Sequence, residues 1–446
     1  MSILARKLHL TDYFALAFGV MVGVGWLVVM DDWLLRGGPV GALLGFATVG
    51  ALLLPVGWVY GQLVMTIPDA AGEVAYAAKV FPPIVSYATG WVMMLVYFIV
   101  CPYEAVAIGR IAGYLFPELN RFELYRLSGY SIYVPHLILG LVLTAVFTAV
   151  NYRGVQLSAR FLRWTTFAVL ALVALFSMAG LKSGSFANFQ PLFSHTPLLS
   201  VLLVVQIVPY FLTGFDAVSK CAEEASQEFK GKNFSTAIML AIVVGFAFYA
   251  VIISSVTYAV PWQSITQERF ATAVAFERAL GSRWIVNLIM VTALIALLKI
   301  FNANLLAASR LLFALGRRNL VEPALARVHP VNQTPYVAVV SVGVAIAAAT
   351  FLGNAILVPI SEVGSAVGPL GWMTACAAYY KLSPTIGGRK MAALGAMVTL
   401  LLVLMKILPF VPGHFSRYEW LALFLWCALG AAVKNRRAAA AAVNPV

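Results

Sequence analysis

Two long apolar stretches of the chain contain glycine or proline where a continuous helix tolerates them poorly. Residues 11–30 include Gly19-Val-Met-Val-Gly23-Val-Gly25-Trp26, and residues 199–222 include Pro209-Tyr-Phe-Leu-Thr-Gly214-Phe-Asp216. Each interior Gly costs a helix about 1 kcal/mol and each Pro about 3 kcal/mol. A helix broken at these places frees N–H groups that can hold a carboxylate and carbonyls that can hold an ammonium. The alternative is that the small residues only let neighbouring helices pack closely.

Two ionisable side chains lie deep within other apolar stretches. Lys299 is near the middle of residues 284–315, and Glu104 is in the outer half of residues 84–115. A charge at the centre of a bilayer costs at least about 2.5–3.5 kcal/mol, so such a side chain usually faces a cavity or a partner. Asn302 shares the helix face of Lys299 because it follows three residues later. The pattern therefore predicts a cation and an amide side by side.

The composition excludes most soluble classes of protein. Of the 446 residues, 62% are hydrophobic and 11% are charged, whereas a soluble domain is about 45–50% apolar and about 25% charged. The composition predicts a polytopic membrane protein, because lipid must solvate most of these side chains. The net charge of +13 does not indicate nucleic-acid binding, since the cations lie mainly in short loops. The four cysteines and five histidines form no CxxC pair or cluster, so we expect no metal site and no cofactor.

Hydropathy predicts twelve membrane spans, numbered here in chain order. A spanning helix needs roughly 20 apolar residues. The predicted spans are residues 11–30, 39–67, 84–115, 133–150, 163–181, 199–222, 236–260, 284–315, 336–353, 357–380, 391–410 and 418–433. Lys and Arg are about twice as frequent in the loops on the side of the N-terminus, which predicts that both termini are cytoplasmic.

The two interrupted stretches are spans 1 and 6, and span 6 opens a second set of five spans. Interruptions in corresponding positions indicate an inverted repeat with a binding site near the bilayer midplane. We therefore predict an all-α polytopic membrane protein with twelve transmembrane helices, a five-plus-five inverted repeat and discontinuous helices 1 and 6. Its predicted parts are a core at 1–380 with repeats at about 11–181 and 199–380, two peripheral helices in 391–433 and a basic cytoplasmic tail at 434–446.

Opposite charges gather at the predicted cytoplasmic ends of spans 8 and 6. Arg310, Arg317 and Arg318 end span 8, and Glu223 and Glu224 end span 6. An inner gate held shut by Arg310 and Glu224 fits this pattern, and so does a solvated loop cluster. Near the end of span 11, a lone Lys at position 406 is expected to snorkel toward the interface.

Five short motifs follow one another in the order found in a known family. The glycine-rich segment Gly19–Trp26 resembles the family's first helix, with Trp26 where Ile is common. Pro68-Asp-Ala-Ala-Gly72-Glu-Val-Ala-Tyr76 resembles its Pro-x-x-Gly-Gly-x-x-x-Tyr loop, with Ala71 replacing one Gly. The remaining matches are Asn151-Tyr-Arg-Gly-Val155, Gly214-Phe-Asp-Ala-Val218 followed by Glu223-Glu224, and Ser309-Arg310-Leu-Leu-Phe-Ala-Leu-Gly-Arg317 followed by Pro323 and Thr334-Pro335. Together they are similar to the amino acid–polyamine–organocation superfamily of transporters.

The resemblance implies secondary transport of amino acids or related small amines by alternating access. Spans 1, 2, 6 and 7 would form a moving bundle, and spans 3, 4, 8 and 9 a scaffold. The residues expected to contact substrate are Val22, Gly23, Val24, Gly25, Trp26, Tyr210, Phe211, Leu212, Thr213, Gly214 and Glu104. Phe215 is expected to form part of a gate, and ordinary core packing is the alternative for each aromatic residue. Glu104 either contacts an amine or the outer vestibule, or is a snorkelling or paired carboxylate.

Lys299 and Asn302 are the predicted coupling residues. Many members of the family that this chain resembles carry a Lys in span 5 that acts in place of a sodium ion, but the corresponding position here is Val169. Lys299 lies on a span that helps to form the family's cation site, and it would replace that Lys by alternating between ammonium and neutral amine. Alternatively, Lys299 binds an anionic group of the substrate or forms a static ion pair with Glu104 or Asp216.

The expected function is proton-coupled import across the inner membrane, and no enzyme activity is expected. The expected partners are a small-molecule substrate, a proton or another coupling cation and the lipid bilayer, but no nucleic acid. An exchanger and a sodium-coupled symporter are the alternatives within transport. A membrane-embedded sensor or enzyme is a remote alternative, because the sequence contains no GxSxG, HExxH or Walker motif and no signalling domain.

Overall fold

The computed structural model describes residue 4 and residues 6–127, 130–268, 270–353 and 357–434, and these residues are mostly helical. The first nine α-helices are α1 (Leu10–Met21), α2 (Gly25–Val28), α3 (Met30–Thr66), α4 (Glu73–Ala78), α5 (Pro83–Leu115), α6 (Val134–Arg153), α7 (Val155–Gly180), α8 (Pro197–Val205) and α9 (Val208–Phe211). They are followed by α10 (Ala217–Lys220), α11 (Lys232–Ala259), α12 (Ala271–Leu280), α13 (Arg283–Arg317), α14 (Tyr336–Thr350), α15 (Leu357–Leu382), α16 (Ile386–Ile407) and α17 (Arg417–Val433).

Short elements connect these helices. An antiparallel hairpin of β1 (Glu123–Leu127) and β2 (Tyr130–Tyr133) lies between α5 and α6. Single 3₁₀ turns occur at Pro117–Leu119, Phe186–Phe189, Ala222–Glu224, Trp262–Ile265 and Pro323–Ala326. Most connections are therefore short, as expected when the bulk of the chain is embedded in lipid.

Eight helical segments of the described residues are long and apolar enough to cross a membrane. They are Leu10–Val28, Met30–Thr66, Pro83–Leu115, Val134–Arg153, Val155–Gly180, Lys232–Ala259, Arg283–Arg317 and Ile386–Ile407. These segments support the predicted class, an all-helical polytopic membrane protein. The predicted spans 6, 9, 10 and 12 are also helical but are not among the eight, so the number twelve and the inverted repeat stay predictions.

A glycine separates span 1 from span 2 within the continuous α3. Gly38 has φ 64° and ψ −179°, a left-handed conformation that favours glycine. A Cβ at this residue would also lie 2.8 Å from the backbone of Phe193. The helical conformation resumes at Pro39, the residue at which the sequence predicted span 2 to begin.

The chain leaves the helical conformation inside both span 1 and span 6. Span 1 is interrupted at 22–24, between α1 and α2, where Val22 is extended with φ −111° and ψ 103°. Span 6 is interrupted at 212–216, between α9 and α10, and Gly214 there has φ 143°. The glycine and proline pattern thus predicted both interruptions to within a few residues.

The interrupted span 1 lies at the centre of the molecule. Of its most apolar window, 83% of the residues are buried, compared with 33% in α6 and in α7. Helix α1 packs against α11, α7 and α13, and α13 packs against α5. The buried Lys299 of α13 and Glu104 of α5 are therefore placed beside the break in span 1.

Candidate functional site

The two interruptions meet. A Cβ at Gly214 would lie 2.7 Å from the Met21 nitrogen and 2.8 Å from the Ala17 oxygen. A Cβ at Gly25 would lie 2.7 Å from a ring carbon of Phe211. Only glycine permits such close approach, so these two residues set the contact between the broken helices.

The predicted substrate residues form one enclosed group. Of the residues on the two interruptions, Tyr210 is half-buried and the following are buried: Val22, Gly23, Val24, Gly25, Trp26, Phe211, Leu212, Thr213 and Gly214. The Thr213 hydroxyl donates to the Pro209 carbonyl at 2.7 Å, which satisfies it within its own segment. The Trp26 ring stacks on Phe176 with centroids 5.8 Å apart. This contact fits core packing, the alternative to a substrate-binding role for this residue.

Aromatic rings pack around the span 6 interruption. Phe211 packs edge-on against Trp33, with centroids 4.9 Å apart, and lies 6.2 Å from the Tyr249 ring. Phe215 lies between Tyr60 and Trp372, at 5.5 and 5.1 Å. Because Phe215 is fully buried between these rings, any opening at this point requires it to move with span 6.

The ammonium of Lys299 covers the carbonyl end of α1. Its Nζ donates to the Val22 oxygen at 2.7 Å and to the Phe18 oxygen at 3.4 Å, and it lies 4.7 Å from the centre of the Phe18 ring. The Tyr249 hydroxyl donates to the Met21 oxygen at 3.1 Å. The last carbonyls of a helix lack N–H partners and form the negative end of its dipole. Lys299 therefore supplies a cation where the interruption leaves carbonyls exposed.

The carboxylate of Glu104 lies on the other side of the same interruption. It faces the Val24 N–H, and a Cβ at Gly23 would be 2.7 Å from its Oε1. Its Oε2 is buried and has no hydrogen-bond partner among the described atoms. The sequence placed Glu104 only in the outer half of span 3, because distance along one helix does not reveal which neighbour it faces.

The contacts of Lys299 argue against the static ion pairs with Glu104 or Asp216 that the sequence left open. Asp216 pairs with Lys220 at 3.2 Å rather than with Lys299. Within the described ranges, Lys299 bonds to carbonyls and forms no direct ion pair with Glu104. The two charges instead contact separate ends of one break.

Asn302 faces different partners from Lys299. Its Oδ1 accepts from Asn151 Nδ2 at 2.8 Å, and its Nδ2 donates to the Ser158 hydroxyl at 2.9 Å. These bonds join α13 to α6 and α7. A residue three positions on is rotated by about 60° around an α-helix, which is enough to turn its amide from α1 toward α6 and α7.

A buried ion pair joins the ends of spans 8 and 6. The Arg310 guanidinium donates to Glu224 Oε1 at 2.8 Å, and both side chains are fully buried. The backbone N–H groups of Lys7 and Leu8 donate to the Glu224 carbonyl at 2.8 and 2.9 Å. The predicted pair therefore exists, and it joins the end of span 8 to the end of span 6 and to the N-terminal segment.

Further charges surround this pair. Arg317 bonds to Glu223 at 2.5 Å and to Asp69 at 3.0 Å, and Arg318 bonds to Asp69 at 2.6 Å. These partners are partly exposed, so each pair alone contributes little. Together they extend the ion-paired group to the loop after span 2, which the sequence did not indicate.

Replacing Glu224 by Gln is expected to destabilise the protein, because it leaves the Arg310 guanidinium buried without its counter-charge. Removing one partner of a buried pair costs about 3–5 kcal/mol. We expect the apparent Tm of the purified protein to fall by several degrees, while Glu228→Gln, at an exposed position, leaves it unchanged. Adding Arg310→Met to Glu224→Gln should recover part of the loss. A Tm equal to that of the wild type in Glu224→Gln would contradict a structural role for this pair.

A second charge group joins α3, α15 and α16. Arg36 bonds to Asp32 at 2.8 Å and to Glu362 at 3.1 Å. Lys406 of α16 also bonds to Glu362 and is fully buried. The prediction that Lys406 snorkels to the interface is therefore wrong, because a carboxylate on the adjacent α15 meets it inside the protein.

In the part of the chain that the structure describes, no group of three His, Cys, Asp or Glu side chains is arranged to hold a metal ion. The four cysteines are free thiols, and Cys101, Cys221 and Cys376 are buried. A small buried thiol packs as an apolar residue, which accounts for these three within the helical core.

Comparison with known proteins agrees with this architecture. The chain resembles the methylthioribose transporter of Bacillus subtilis (26% identity, covering 75% of this chain and 72% of the relative). It also resembles the branched-chain amino acid permease BcaP of the same organism (24% identity, 82% and 77% covered). The aromatic amino acid transport protein AroP of Escherichia coli K12 is 23% identical over 71% of this chain and 68% of the relative.

A sequence model of one family matches nearly the whole chain. The family is described as amino acid permease, and the match covers residues 8–433. It includes both interruptions, the two buried charges beside them and the Arg310–Glu224 pair. The protein therefore belongs to the amino acid permease family, whose members are membrane transporters and not enzymes.

Proposed function

We propose that this protein imports an amino acid or a related small amine across the cytoplasmic (inner) membrane by proton-coupled alternating access. The proposal includes twelve spans, with both termini in the cytoplasm and inverted repeats at about 11–181 and 199–380 within a core at 1–380. The helices in 391–433 are peripheral to the core. The predicted tail at 434–446 lies outside the described residues beyond Lys434.

The observation that carries the proposal is that two buried side chains of opposite charge both face the interruption in span 1. Lys299 donates to the Val22 carbonyl at 2.7 Å, and the Glu104 carboxylate faces the Val24 N–H with its Oε1 beside Gly23. A buried charge is retained in a membrane protein mainly where it faces a partner, an ion or a substrate. Two opposite charges from different helices contact the same three non-helical residues. This arrangement supports a site in which a zwitterion or an amine replaces the internal partners of these charges.

In this proposal the substrate ammonium reaches the free Oε2 of Glu104 and carbonyls at the span 6 interruption. The substrate carboxylate, where there is one, reaches the N–H groups near Gly23–Gly25. The aromatic group around Phe211 would contact the side chain of the substrate, as hydrophobic walls commonly do in small-molecule sites. The relatives are named for branched-chain amino acids, aromatic amino acids and methylthioribose. The binding test therefore covers a broad panel of compounds.

Coupling is assigned to Lys299. As an ammonium, Lys299 satisfies the Val22 carbonyl at the end of α1; as a neutral amine it would hold this carbonyl more weakly. Losing the proton would therefore loosen the interruption and allow span 1 to move. Asn302 would assist by fixing α13 against α6 and α7, and Phe215 and the Arg310–Glu224 pair would gate the path.

The test uses purified protein and a panel of branched-chain and aromatic amino acids, ethanolamine-like amines and polyamines. A ligand present at 100 times its Kd stabilises the folded state by about 2.7 kcal/mol, so the true substrate should raise the apparent Tm. In proteoliposomes, that compound should accumulate when the outside is acidic, with sodium replaced by choline. An uncoupler should abolish the accumulation.

Two outcomes would separate this proposal from its alternatives. Exchange with preloaded substrate that ignores the uncoupler would indicate an exchanger, and accumulation only in sodium would indicate a sodium symporter.

Glu104→Gln should weaken binding of the active amine or amino acid by about tenfold, because it removes one charge-assisted hydrogen bond worth about 1.5–3 kcal/mol. Equal affinity in this variant would remove Glu104 from the site.

A further inference from the structure

A second group of buried charges lies between span 6 and the segment after span 2. The Lys220 ammonium donates to Glu73 Oε1 at 2.5 Å and to Asp216 Oδ2 at 3.2 Å. All three side chains are fully buried. The sequence did not indicate this triad, because Lys220 appeared to belong to the charged cytoplasmic end of span 6.

Two tyrosines from other helices complete the triad. The Tyr60 hydroxyl of α3 donates to Glu73 Oε1 at 2.5 Å, and the Tyr97 hydroxyl of α5 donates to Asp216 Oδ2. Both rings lie beside the Lys220 ammonium, at 5.9 and 5.3 Å from their centres. The triad therefore joins spans 2, 3 and 6 with the short helix α4.

The charges of the triad do not balance. Two carboxylates share a single ammonium, which leaves one negative charge in excess when both are ionised. Glu73 Oε2 is buried with no hydrogen-bond partner among the described atoms. An isolated buried charge is costly enough that the group usually becomes neutral instead.

The surrounding groups do not remove this excess. Tyr76 and Cys221 also face the triad and, like the two bonded tyrosines, are neutral in ordinary buffers. Asp69, which faces Tyr76, is paired with Arg317 and Arg318. A proton is therefore the simplest species that neutralises the triad.

We propose that the triad is a proton-binding site, separate from Lys299, in which Glu73 carries one proton on Oε2 while Lys220 stays paired with Asp216. Asp216 Oδ1 also accepts from the Gly214 N–H at 3.2 Å, so the triad is bonded directly to the interruption in span 6. Loss of the proton leaves an uncompensated charge that only water can stabilise. Deprotonation thus favours separation of span 6 from α5, and protonation favours the packed arrangement.

The direction of the pH effect follows from this burial. Burial raises the pKa of the Glu73 carboxyl above its ordinary value. An acid whose pKa is raised by folding binds its proton more tightly in the folded state, so its contribution to stability is complete at low pH. That contribution is lost as the pH rises through the raised pKa.

The experiment measures the apparent Tm of the full-length protein in detergent at a series of pH values, with no substrate present. The wild-type Tm should fall as pH rises above the ordinary range of a carboxyl group, by about 1–2 °C for each tenfold difference in proton affinity between the folded and unfolded states. Glu73→Gln, which mimics the protonated acid, should flatten this part of the profile. Glu118→Gln, at an exposed position, should follow the wild type.

A second readout keeps the test decisive if Glu73→Gln folds poorly. In the wild type at low pH, difference infrared spectra should contain the carbonyl band of a protonated carboxylic acid, and Lys220→Met should carry that band to higher pH because the counter-charge is gone. A folded Glu73→Gln with the wild-type Tm profile, or no protonated-acid band that responds to Lys220→Met, would overturn the proposal. Neither measurement requires transport, so its failure leaves the proposed function untouched.

Discussion

Replacing Lys299 by Met is expected to abolish accumulation of substrate driven by a proton gradient. The substitution leaves the Val22 carbonyl without the donor that lies 2.7 Å from it, whereas the Phe18 carbonyl still accepts from the Val22 N–H at 2.9 Å. A hydrogen bond from a charged group contributes about 1.5–3 kcal/mol, so the closed form of span 1 should lose at least about tenfold in population. Uptake into proteoliposomes at a fixed pH gradient measures the effect.

Two further variants separate loss of the charge from loss of proton exchange. Lys299→Arg keeps a permanent cation, so substrate binding should persist while gradient-driven accumulation is lost. Lys390→Met removes an exposed Lys of α16 and should transport like the wild type. If Lys299→Met accumulated substrate with an unchanged pH dependence, Lys299 would not be the coupling residue, and the charge would serve packing alone.

Replacing Gly214 by Ala is expected to eliminate transport and to destabilise the protein. The residue has φ 143°, and the added Cβ would lie 2.7 Å from the Met21 nitrogen and 2.8 Å from the Ala17 oxygen. Both neighbours are backbone atoms, which cannot move aside without shifting α1. The combined strain and overpacking should cost about 2–4 kcal/mol, measured as a fall in apparent Tm together with loss of uptake.

Gly387→Ala is the matched control. Gly387 lies in α16 and has open space where a Cβ would be placed, and Ala is favoured over Gly in a helix interior by roughly 0.5–1 kcal/mol. This variant should keep full uptake and an equal or higher Tm. If Gly214→Ala had the same properties, contact between the two interruptions would not be required for transport.

Much of the fold could be predicted from local sequence properties. Hydropathy over about 20 residues identifies lipid-embedded helices, and the predicted start of span 2 at residue 39 coincides with the kink at Gly38. The interruptions were predictable as well, because Gly and Pro act on the backbone of their own segment. The positions of Lys299 and Arg310 along α13 follow directly from counting residues along one helix.

The partners of the charged side chains could not be predicted in the same way. Glu104 and Val24 are 80 positions apart, Lys220 and Glu73 are 147 apart, and Lys406 and Glu362 lie on adjacent helices whose relative rotation the sequence does not specify. Asn302 illustrates the same limit, since its spacing from Lys299 predicted a cation and an amide side by side, whereas its amide bonds to Asn151 and Ser158.

The sequence by itself determined that this chain is a helical membrane protein, where two of its helices break and that Lys299 and Glu104 lie deep within apolar helices. Those properties depend on the transfer of each segment into lipid and on its own backbone. Only the tertiary structure decided that Lys299 and Glu104 meet at one break and that Glu73, Lys220 and Asp216 form a triad. The reason is that the free energy of a buried charge depends on the atoms within a few ångströms, and distant segments supply those atoms.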